Sequence, residues 1–206
     1  MTTFATVRGI HIPRVAILKE GYEIKLRDEN AFTIRANVSA EKIDFVFRAS
    51  LARLPEPVFL ILEAPCNQVR EIELRKKPTD PVRRDVYFMD GPDRNRLIKI
   101  YEQFQELLIH DGLIYFGVKS RKSGDEVFVS AYKIFNFFGQ MPNRFEDVLA
   151  EFAISKTEHL ITAWDTFTED APGEKSRCDV NGIDIYDMLE TLIRQHGLFH
   201  KETIEG

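Results

Sequence analysis

Residues 113–134 of the chain read LIYFGVKSRKSGDEVFVSAYKI. Two apolar runs, residues 113–118 and 126–134, flank a short polar loop that contains Gly124. The second run alternates apolar and polar residues, as a strand does when one of its faces is buried. Two such runs joined by a short loop with glycine are typical of a β-hairpin. The stretch therefore predicts two neighbouring antiparallel strands.

A strong helical pattern precedes this hairpin at residues 93–110. Apolar side chains recur every three or four residues and would share one face of a helix: Leu97, Ile100, Tyr101, Phe104, Leu107 and Leu108. We expect Pro92 in the first turn, with Asp90 or Gly91 as the cap. Gly112 is expected to end the helix.

Proline and glycine separate further strands and helices outside this unit. The predicted strands are residues 15–18, 22–26, 32–36, 58–62, 86–89 and 159–167. The predicted helices begin after Ser39, Pro142 and Asn181. Gly197 is expected to end the last helix. Residues 67–77 fit a helix or a strand, and residues 168–179 suit a mobile loop.

This order of elements predicts the fold class. Helices do not alternate strictly with strands, and the clearest connection is an antiparallel hairpin. We therefore expect an α+β fold, with a mainly antiparallel sheet and helices packed on one side. The length of 206 residues favours a single globular domain over residues 1–206, with an acidic C-terminal part at residues 145–206.

Composition argues against a membrane protein and against a secreted one. The hydrophobic fraction is 44%, but the longest purely apolar run, residues 58–62, is far shorter than the about 18 residues of a membrane span. Arg8 and Arg14 interrupt the stretch where a signal peptide needs apolar residues. Cys66 and Cys178 alone build no disulfide framework, so the reducing cytoplasm is the expected location.

The net charge of −5 hides an uneven distribution. Residues 145–206 hold 14 acidic and 5 basic residues, so their charge is −9, whereas the first 144 residues carry +4. An acidic surface repels nucleic acids and anionic membranes and attracts basic proteins. Basic residues from Arg70 to Arg84 alternate with acidic ones, which favours a solvated mixed face over nucleic-acid binding. Alternatively, the two parts of the chain neutralise each other across the fold.

The chain contains no local motif for catalysis or for a cofactor. The patterns GxxxxGK[ST], GxGxxG and GxSxG are absent. His196 and His200 have the spacing of metal ligands on a helix, but Gly197 lies between them. Residues 179–184 fit a helix cap better than a calcium loop. The sequence therefore predicts no catalytic residue, no metal and no cofactor.

The two cysteines are the remaining candidates for covalent chemistry. Cys66 follows a predicted buried strand, where cysteine often serves as a small apolar residue. Cys178 lies between Arg177, which favours the thiolate, and Asp179, which opposes it. Neither cysteine is predicted to be catalytic.

The densest group of titratable side chains surrounds the only tryptophan. The residues predicted to bind a partner are Glu158, His159, Trp164, Asp165, Glu169 and Asp170. The strand predicted at residues 159–167 has mixed faces, which suits an edge of the sheet. An acidic edge strand with an aromatic residue is suited to docking a protein, although a carboxylate pair also suits acid–base chemistry.

These expectations favour a non-enzymatic cytoplasmic protein that binds another protein, of basic character. One concrete form is an immunity or antitoxin-like protein that neutralises a basic toxin such as a nuclease. The alternative is an enzyme or small-ligand-binding protein whose site is assembled from distant residues, with His159, Asp165 or Cys66 among them. A structural subunit of a homo-oligomer would instead carry a self-complementary apolar patch.

Overall fold

An antiparallel sheet of eight strands organises the molecule in a computed structural model, which describes residues 4–28, 31–67, 69, 82–91 and 93–205. In chain order the strands are β1 Ile10–His11, β2 Gly21–Asp28, β3 Ala31–Asn37, β4 Val58–Pro65, β5 Arg83–Met89, β6 Tyr115–Ser120, β7 Glu126–Val129, β8 Phe135–Gly139, β9 Glu174–Lys175 and β10 Phe199–Glu205. The α-helices are α1 Ile43–Arg53, α2 Arg94–His110, α3 Asn143–Glu151 and α4 Ile185–His196. Short 3-10 helices lie at Val15–Ile17, Ala40–Lys42, Ala131–Lys133 and Ala163–Thr166. None of the helices in these ranges is long and apolar enough to span a membrane.

Several expectations concern the part of the chain outside these ranges. The choice between helix and strand for residues 70–77 and the placement of Pro92 lie outside the described residues. The same holds for most of the basic stretch from Arg70 to Arg84, of which the structure describes only Val82 onwards.

The large sheet has the order β10-β5-β4-β6-β7-β8-β3-β2, and all of its neighbouring strands are antiparallel. The predicted hairpin is confirmed, since β6 and β7 pair with Gly117 opposite Phe128. Gly124 in their connection has a φ of 74°, which glycine adopts without strain. The predicted α+β class with an antiparallel sheet is therefore confirmed. The strands β1 and β9 form a separate pair.

Helices cover one face of this sheet. Alternate strand residues such as Leu62, Phe116 and Phe137 are fully buried there, in one apolar cluster with buried residues of the helices α1 to α4. Phe47 of α1 packs on Phe116 with a ring-centroid distance of 4.9 Å. Phe145 of α3 packs on Phe137 at 4.8 Å. The prediction that helices pack on one side is confirmed.

The first predicted strand, at residues 15–18, is wrong because the chain forms a 3-10 turn. The N–H of Val15 donates to the carbonyl of Ile12, and the N–H of Leu18 donates to the carbonyl of Val15. These local bonds satisfy backbone groups that a strand would need a neighbouring strand to satisfy.

Two strands of the large sheet, β8 and β10, were not indicated by the sequence pattern, and neither was the separate pair of β1 and β9. The second hairpin strand ends at Val129 instead of residue 134, because Tyr132 and Lys133 adopt φ values of 57° and 56° and turn the chain into β8. The strand β10 pairs with β5 at one edge of the sheet. Most of its side chains are exposed, so it lacks the apolar alternation that marks a half-buried strand.

The helix α2 begins at Arg94, one residue after the predicted start at Asp93. Its N-cap is Asp93, whose carboxylate accepts the N–H of Arg96 at 2.7 Å, so the predicted caps Asp90 and Gly91 are wrong. A carboxylate next to the first free N–H groups satisfies them better than a glycine does. At the other end α2 stops at Asp111, with an extended backbone, and Gly112 has a different role.

The helix α4 has an acidic N-cap and a glycine C-cap. Asp184, instead of the predicted Asn181, caps it by accepting the N–H of Tyr186 at 2.8 Å. Gly197 ends the helix as predicted, with a left-handed φ of 76°. Ser39 was also expected to cap a helix, but a 3-10 turn intervenes before α1 and the Ser39 hydroxyl makes no cap bond.

Three backbone segments cross at Gly9, Gly112 and Ser176. The N–H of Gly9 donates to His110 at 2.8 Å, that of Ser176 donates to Gly9 at 2.9 Å, and that of Gly112 donates to Ser176 at 2.9 Å. A Cβ on Gly9 would lie 2.6 Å from the carbonyl oxygens of His110 and Ser176. Only glycine allows this approach. The crossing ties the predicted loop at residues 168–179 to the end of α2.

Candidate protein-docking surface

The segment that carries most of the predicted partner-binding residues is not a strand. Thr162 begins the 3-10 helix Ala163–Thr166, and both its N–H and its hydroxyl donate to the Asp165 carboxylate at 2.8 Å. This reciprocal cap closes a local turn. The edge strand predicted at residues 159–167 is therefore wrong.

Side chains of the sheet hold the rest of this segment. The side-chain amide of Asn37 donates to the carbonyl of Ile161 at 2.7 Å. The N–H of Leu160 donates to the carboxylate of Glu23 at 3.3 Å. Because side chains satisfy these backbone groups, the segment follows the sheet without joining it as a strand.

Trp164 is held by two other rings and still exposes 53% of its surface. Its ring meets Tyr132 edge-on, with a centroid distance of 4.9 Å and an interplanar angle of 86°. It lies 5.7 Å from Phe167, and Tyr132 lies 4.9 Å from Phe167. Such edge-on contacts are favourable and fix the orientation of the rings. We call Trp164, Tyr132 and Phe167 the aromatic platform.

The buried side chain of Lys133 holds the backbone next to Tyr132 of the platform in place. Tyr132 and Lys133 both have left-handed φ values, which non-glycine residues rarely adopt. Lys133 is only 4% exposed, and its Nζ donates to the carbonyl of Leu108 at 2.8 Å and to that of Ile114 at 3.1 Å. Burial lowers the pKa of Lys133 from 10.5 to about 7. These bonds hold the strained backbone in the conformation that directs Tyr132 towards Trp164.

An acidic turn at residues 168–171 adjoins the platform. Thr168 and Ala171 exchange backbone hydrogen bonds of 3.3 Å and 3.1 Å, which closes a tight two-residue turn. The two residues at its tip, Glu169 and Asp170, are exposed. Neither makes an ion pair with any residue in the described ranges. The turn therefore presents to solvent two carboxylates that pair with none of the residues described by the structure.

A groove of about 270 Å³ lies beside the platform. Its lining consists of Ile17, Lys19, Glu20, Gly21, Thr157, His159, Leu160 and Ile161. Ile17 and Ile161 are 42% and 43% exposed at its rim. The 3-10 helices Val15–Ile17 and Ala163–Thr166 contact each other, which places the groove next to Trp164. Apolar side chains that are exposed together are suited to contact with another protein.

The structure separates the predicted partner-binding residues into different roles. All six are exposed: Glu158, His159, Trp164, Asp165, Glu169 and Asp170. His159 lines the groove, whereas Trp164 belongs to the platform and the last two form the acidic turn. Asp165 has a structural role, because the N–H and then the hydroxyl of Thr162 hold the pKa of its carboxyl below the usual value.

The acidic part of the chain, residues 145–206, reaches both edges of the sheet. Its last strand, β10, forms one edge, whereas the carbonyl of Ser155 accepts the N–H of Tyr22 from the edge strand β2 at the other. Some of its carboxylates also have internal partners, such as Glu146 with Lys156. The acidic residues of this part are therefore divided among several surfaces.

The two cysteines lie apart from this surface. Cys66 is buried directly after β4. His159 and Asp165 lie beside β2, and four strands separate β2 from β4 in the sheet. The thiol of Cys178 donates to the carbonyl of His110 at 3.3 Å, and burial raises its pKa. The constellation of His159, Asp165 and Cys66 that an enzyme was expected to use is not assembled.

His200 lies in β10 and not on a helix, and its Nε2 is 3.1 Å from the Asp85 carboxylate. Within the described ranges, no group of three or more His, Cys, Asp or Glu side chains is arranged to hold a metal ion.

One buried polar cluster was missed by the sequence analysis. Asp111 is fully buried, and its carboxylate accepts the N–H groups of Leu113, Ile114 and Cys178 at 2.8, 3.0 and 2.9 Å. The position of an aspartate directly after a helix could have indicated this role. The cavity beside the neighbouring Lys133 is only about 10 Å³, enough for a single water. The Asp111 carboxylate thus joins the end of α2 to the backbone at Leu113 and Cys178.

Similarity to known proteins adds no assignment. Comparison of the chain with protein-family models, with curated proteins and with solved structures gives no match.

Proposed function

We propose that this protein binds another, basic protein through the aromatic platform and the acidic turn. The observation that carries the proposal is that Trp164 is immobilised by Tyr132 and Phe167 and still leaves half of its surface to solvent. Tryptophan is enriched among the residues that dominate binding energies, and a ring that is already fixed loses little entropy on binding.

Charge determines the kind of partner. Glu169 and Asp170 are exposed beside the platform, so lysine or arginine residues of a partner can lie opposite them. Exposed charges at the rim of an interface mainly accelerate association and make it sensitive to salt. The apolar rim of the groove, at Ile17 and Ile161, extends the contact beyond the tryptophan.

In its most specific form the proposal is a non-enzymatic immunity or antitoxin-like protein that neutralises a basic toxin such as a nuclease. Its size, its acidity and the position of the acidic turn are compatible with this role. The proposed location is the cytoplasm, because both cysteines are free thiols and the cytoplasm keeps thiols reduced.

The test is affinity capture with the full chain and matched variants, at low and at moderate salt. Trp164→Ala removes the exposed ring, and the double variant Glu169→Lys with Asp170→Lys reverses the acidic turn. The control is Glu202→Lys with Glu205→Lys, which changes the net charge equally on β10 at the opposite edge of the sheet. Asp165 is left intact because its loss would disturb the fold.

We expect a stoichiometric basic protein on the wild-type chain and on the control, with less of it at the higher salt. Trp164→Ala should weaken binding by about 2 kcal/mol, roughly thirtyfold in Kd. The charge-reversed turn should lose the partner. Equal capture by the charge-reversed turn, or no captured protein at all, would refute the proposal.

A further inference from the structure

The outer edge of β2 carries backbone groups that point away from the neighbouring strand β3. The N–H of Tyr22 donates to Ser155 at 3.0 Å, and its carbonyl accepts the N–H of Thr157 at 2.8 Å. Both groups of Tyr22 therefore point away from β3. In an antiparallel strand, the N–H and carbonyl groups of successive residues point alternately towards and away from the neighbouring strand. The N–H and carbonyl groups of Ile24 and Leu26 therefore also point away from β3.

Nothing in the described ranges covers this edge beyond Tyr22. The segment that pairs with Tyr22 turns away, since the N–H of Leu160 donates to the Glu23 side chain instead of extending along β2. The outward groups of Ile24 and Leu26 have no hydrogen-bond partner among the described residues. The side chain of Leu26 is 83% exposed. An open edge of this kind is a template for an added strand.

The opposite edge of the sheet is protected by contrast. The pairing of β10 with β5 is interrupted by a bulge between His200 and Glu202. Exposed charged side chains, including Lys201, follow one another there. Bulges and charges both hinder the addition of a strand, so β2 is the more receptive edge.

The charges beside the β2 edge select an acidic strand. Lys25 lies 3.2 Å from Glu23, which also pairs with Arg35. The guanidinium of Arg27 lies 5.3 Å from the centre of the Phe138 ring. Three cations thus accompany Glu23 on the face of the sheet away from the helices, where Arg35 also interacts with the charge of Asp165. An added strand places its side chains opposite Lys25, where negative charge is favourable.

A second copy of this chain is a poor occupant. Antiparallel pairing that sets Ile24 opposite Leu26 of a copy also sets Lys25 opposite Lys25. Pairing that sets Leu26 opposite itself brings Lys25 opposite Arg27. Pairing of Ile24 with itself places Leu26 of the copy opposite Tyr22, whose outward groups are already bonded to Ser155 and Thr157. Like charges directly opposite each other are destabilising.

We propose that the outer edge of β2, at Ile24 and Leu26, binds an extended segment of another protein in which acidic and apolar residues alternate. The backbone of that segment pairs with the free groups of β2. Its acidic side chains face Lys25 and Arg27, and its apolar side chains lie on the side of Leu26. This site is distinct from the aromatic platform and does not depend on the function proposed for it.

The test measures binding of a labelled peptide of alternating glutamate and valine by fluorescence anisotropy with the full chain. A peptide of alternating lysine and valine is the matched probe. Leu26→Pro removes an outward N–H and leaves the bonds to β3, which the neighbouring residues make. Leu26→Thr is the control that keeps the N–H. Lys25→Glu reverses the charge without changing the backbone.

We expect the acidic peptide to bind, and Leu26→Pro to weaken it about tenfold or more while Leu26→Thr does not. Lys25→Glu should shift the preference to the basic peptide, and it provides the test should the proline variant fail to fold. No binding of the acidic peptide, equal binding of both peptides, or binding unchanged in Leu26→Pro and Lys25→Glu would each overturn the proposal. A dimer in sedimentation that Leu26→Pro dissociates would assign the edge to a second copy instead.

Discussion

Replacing Lys133 with methionine should change how the stability of the fold depends on pH. The Nζ of Lys133 is buried and donates to the carbonyls of Leu108 and Ile114. Burial lowers its pKa from 10.5 to about 7, although the charge of Asp111 acts in the opposite direction. Methionine fills a similar volume with no charge, so it removes the titration and keeps most of the packing.

The sign and size of the effect follow from proton linkage. Between about pH 7 and pH 10 the unfolded chain holds a proton on Lys133 that the folded chain has released. The free energy of unfolding of the wild type must therefore rise with pH in this window. From about pH 7 to pH 9 the rise is about 2 kcal/mol. Below pH 7 both states are protonated and the contribution is constant.

The quantity to measure is the difference in unfolding free energy between wild type and Lys133→Met. It comes from urea denaturation followed by circular dichroism at several pH values between about 6 and 9. Only the slope of this difference is predicted, because methionine also leaves the carbonyls of Leu108 and Ile114 without a donor. Both proteins are also compared in a Cys178→Ser background, since the thiol faces the same cluster and titrates nearby.

A difference that stays constant across this pH range would refute the reasoning. It would mean that the two carbonyls and Asp111 keep the ammonium charged in spite of its burial. A difference that falls with rising pH would refute it as well, because the folded pKa would then lie above the ordinary value.

Two further substitutions test the local structure. Asp165→Asn should lower the free energy of unfolding by about 1 kcal/mol near neutral pH, because the carboxylate that accepts the N–H and the hydroxyl of Thr162 is lost. Since the folded pKa of Asp165 is lowered, the difference in unfolding free energy from the wild type should shrink as the pH falls below about 4. Urea titrations at several pH values measure this difference, and a difference that does not change with pH would contradict the prediction. Gly9→Ala should destabilise the fold by more than about 2 kcal/mol, because its methyl group would meet the carbonyl oxygens of His110 and Ser176 at 2.6 Å. Thermal unfolding against the wild type measures this, and an unchanged Tm would show that the crossing adjusts easily.

Local periodicity in the sequence determined the elements whose burial follows a regular pattern. The alternation at residues 126–129 and the helical spacing at residues 94–110 predicted β7 and α2, because side chains on one face of each are buried by the sheet or by the core. The lone tryptophan among carboxylates led to the prediction of a docking surface near Trp164, which stays a prediction.

Elements that depend on distant partners could not be predicted in this way. The strand β10 is mostly exposed, so its pairing with β5 leaves no apolar pattern. The segment at residues 159–167 has strand-like composition, but Asn37 and Glu23 of the sheet satisfy its backbone groups. A single sequence shows the residue types and not the partners that their backbone groups reach.

The tertiary structure alone decided how the candidate surfaces are presented. Tyr132 supports Trp164 because Lys133 is anchored to carbonyls at the ends of α2 and β6, and no glycine marks this left-handed turn in the sequence. Likewise, the open edge at Leu26 exists because the strand that neighbours β2 covers one side only. Periodicity reports which side chains are buried, whereas the exposure of a ring or of a strand edge depends on which distant segments fold over it.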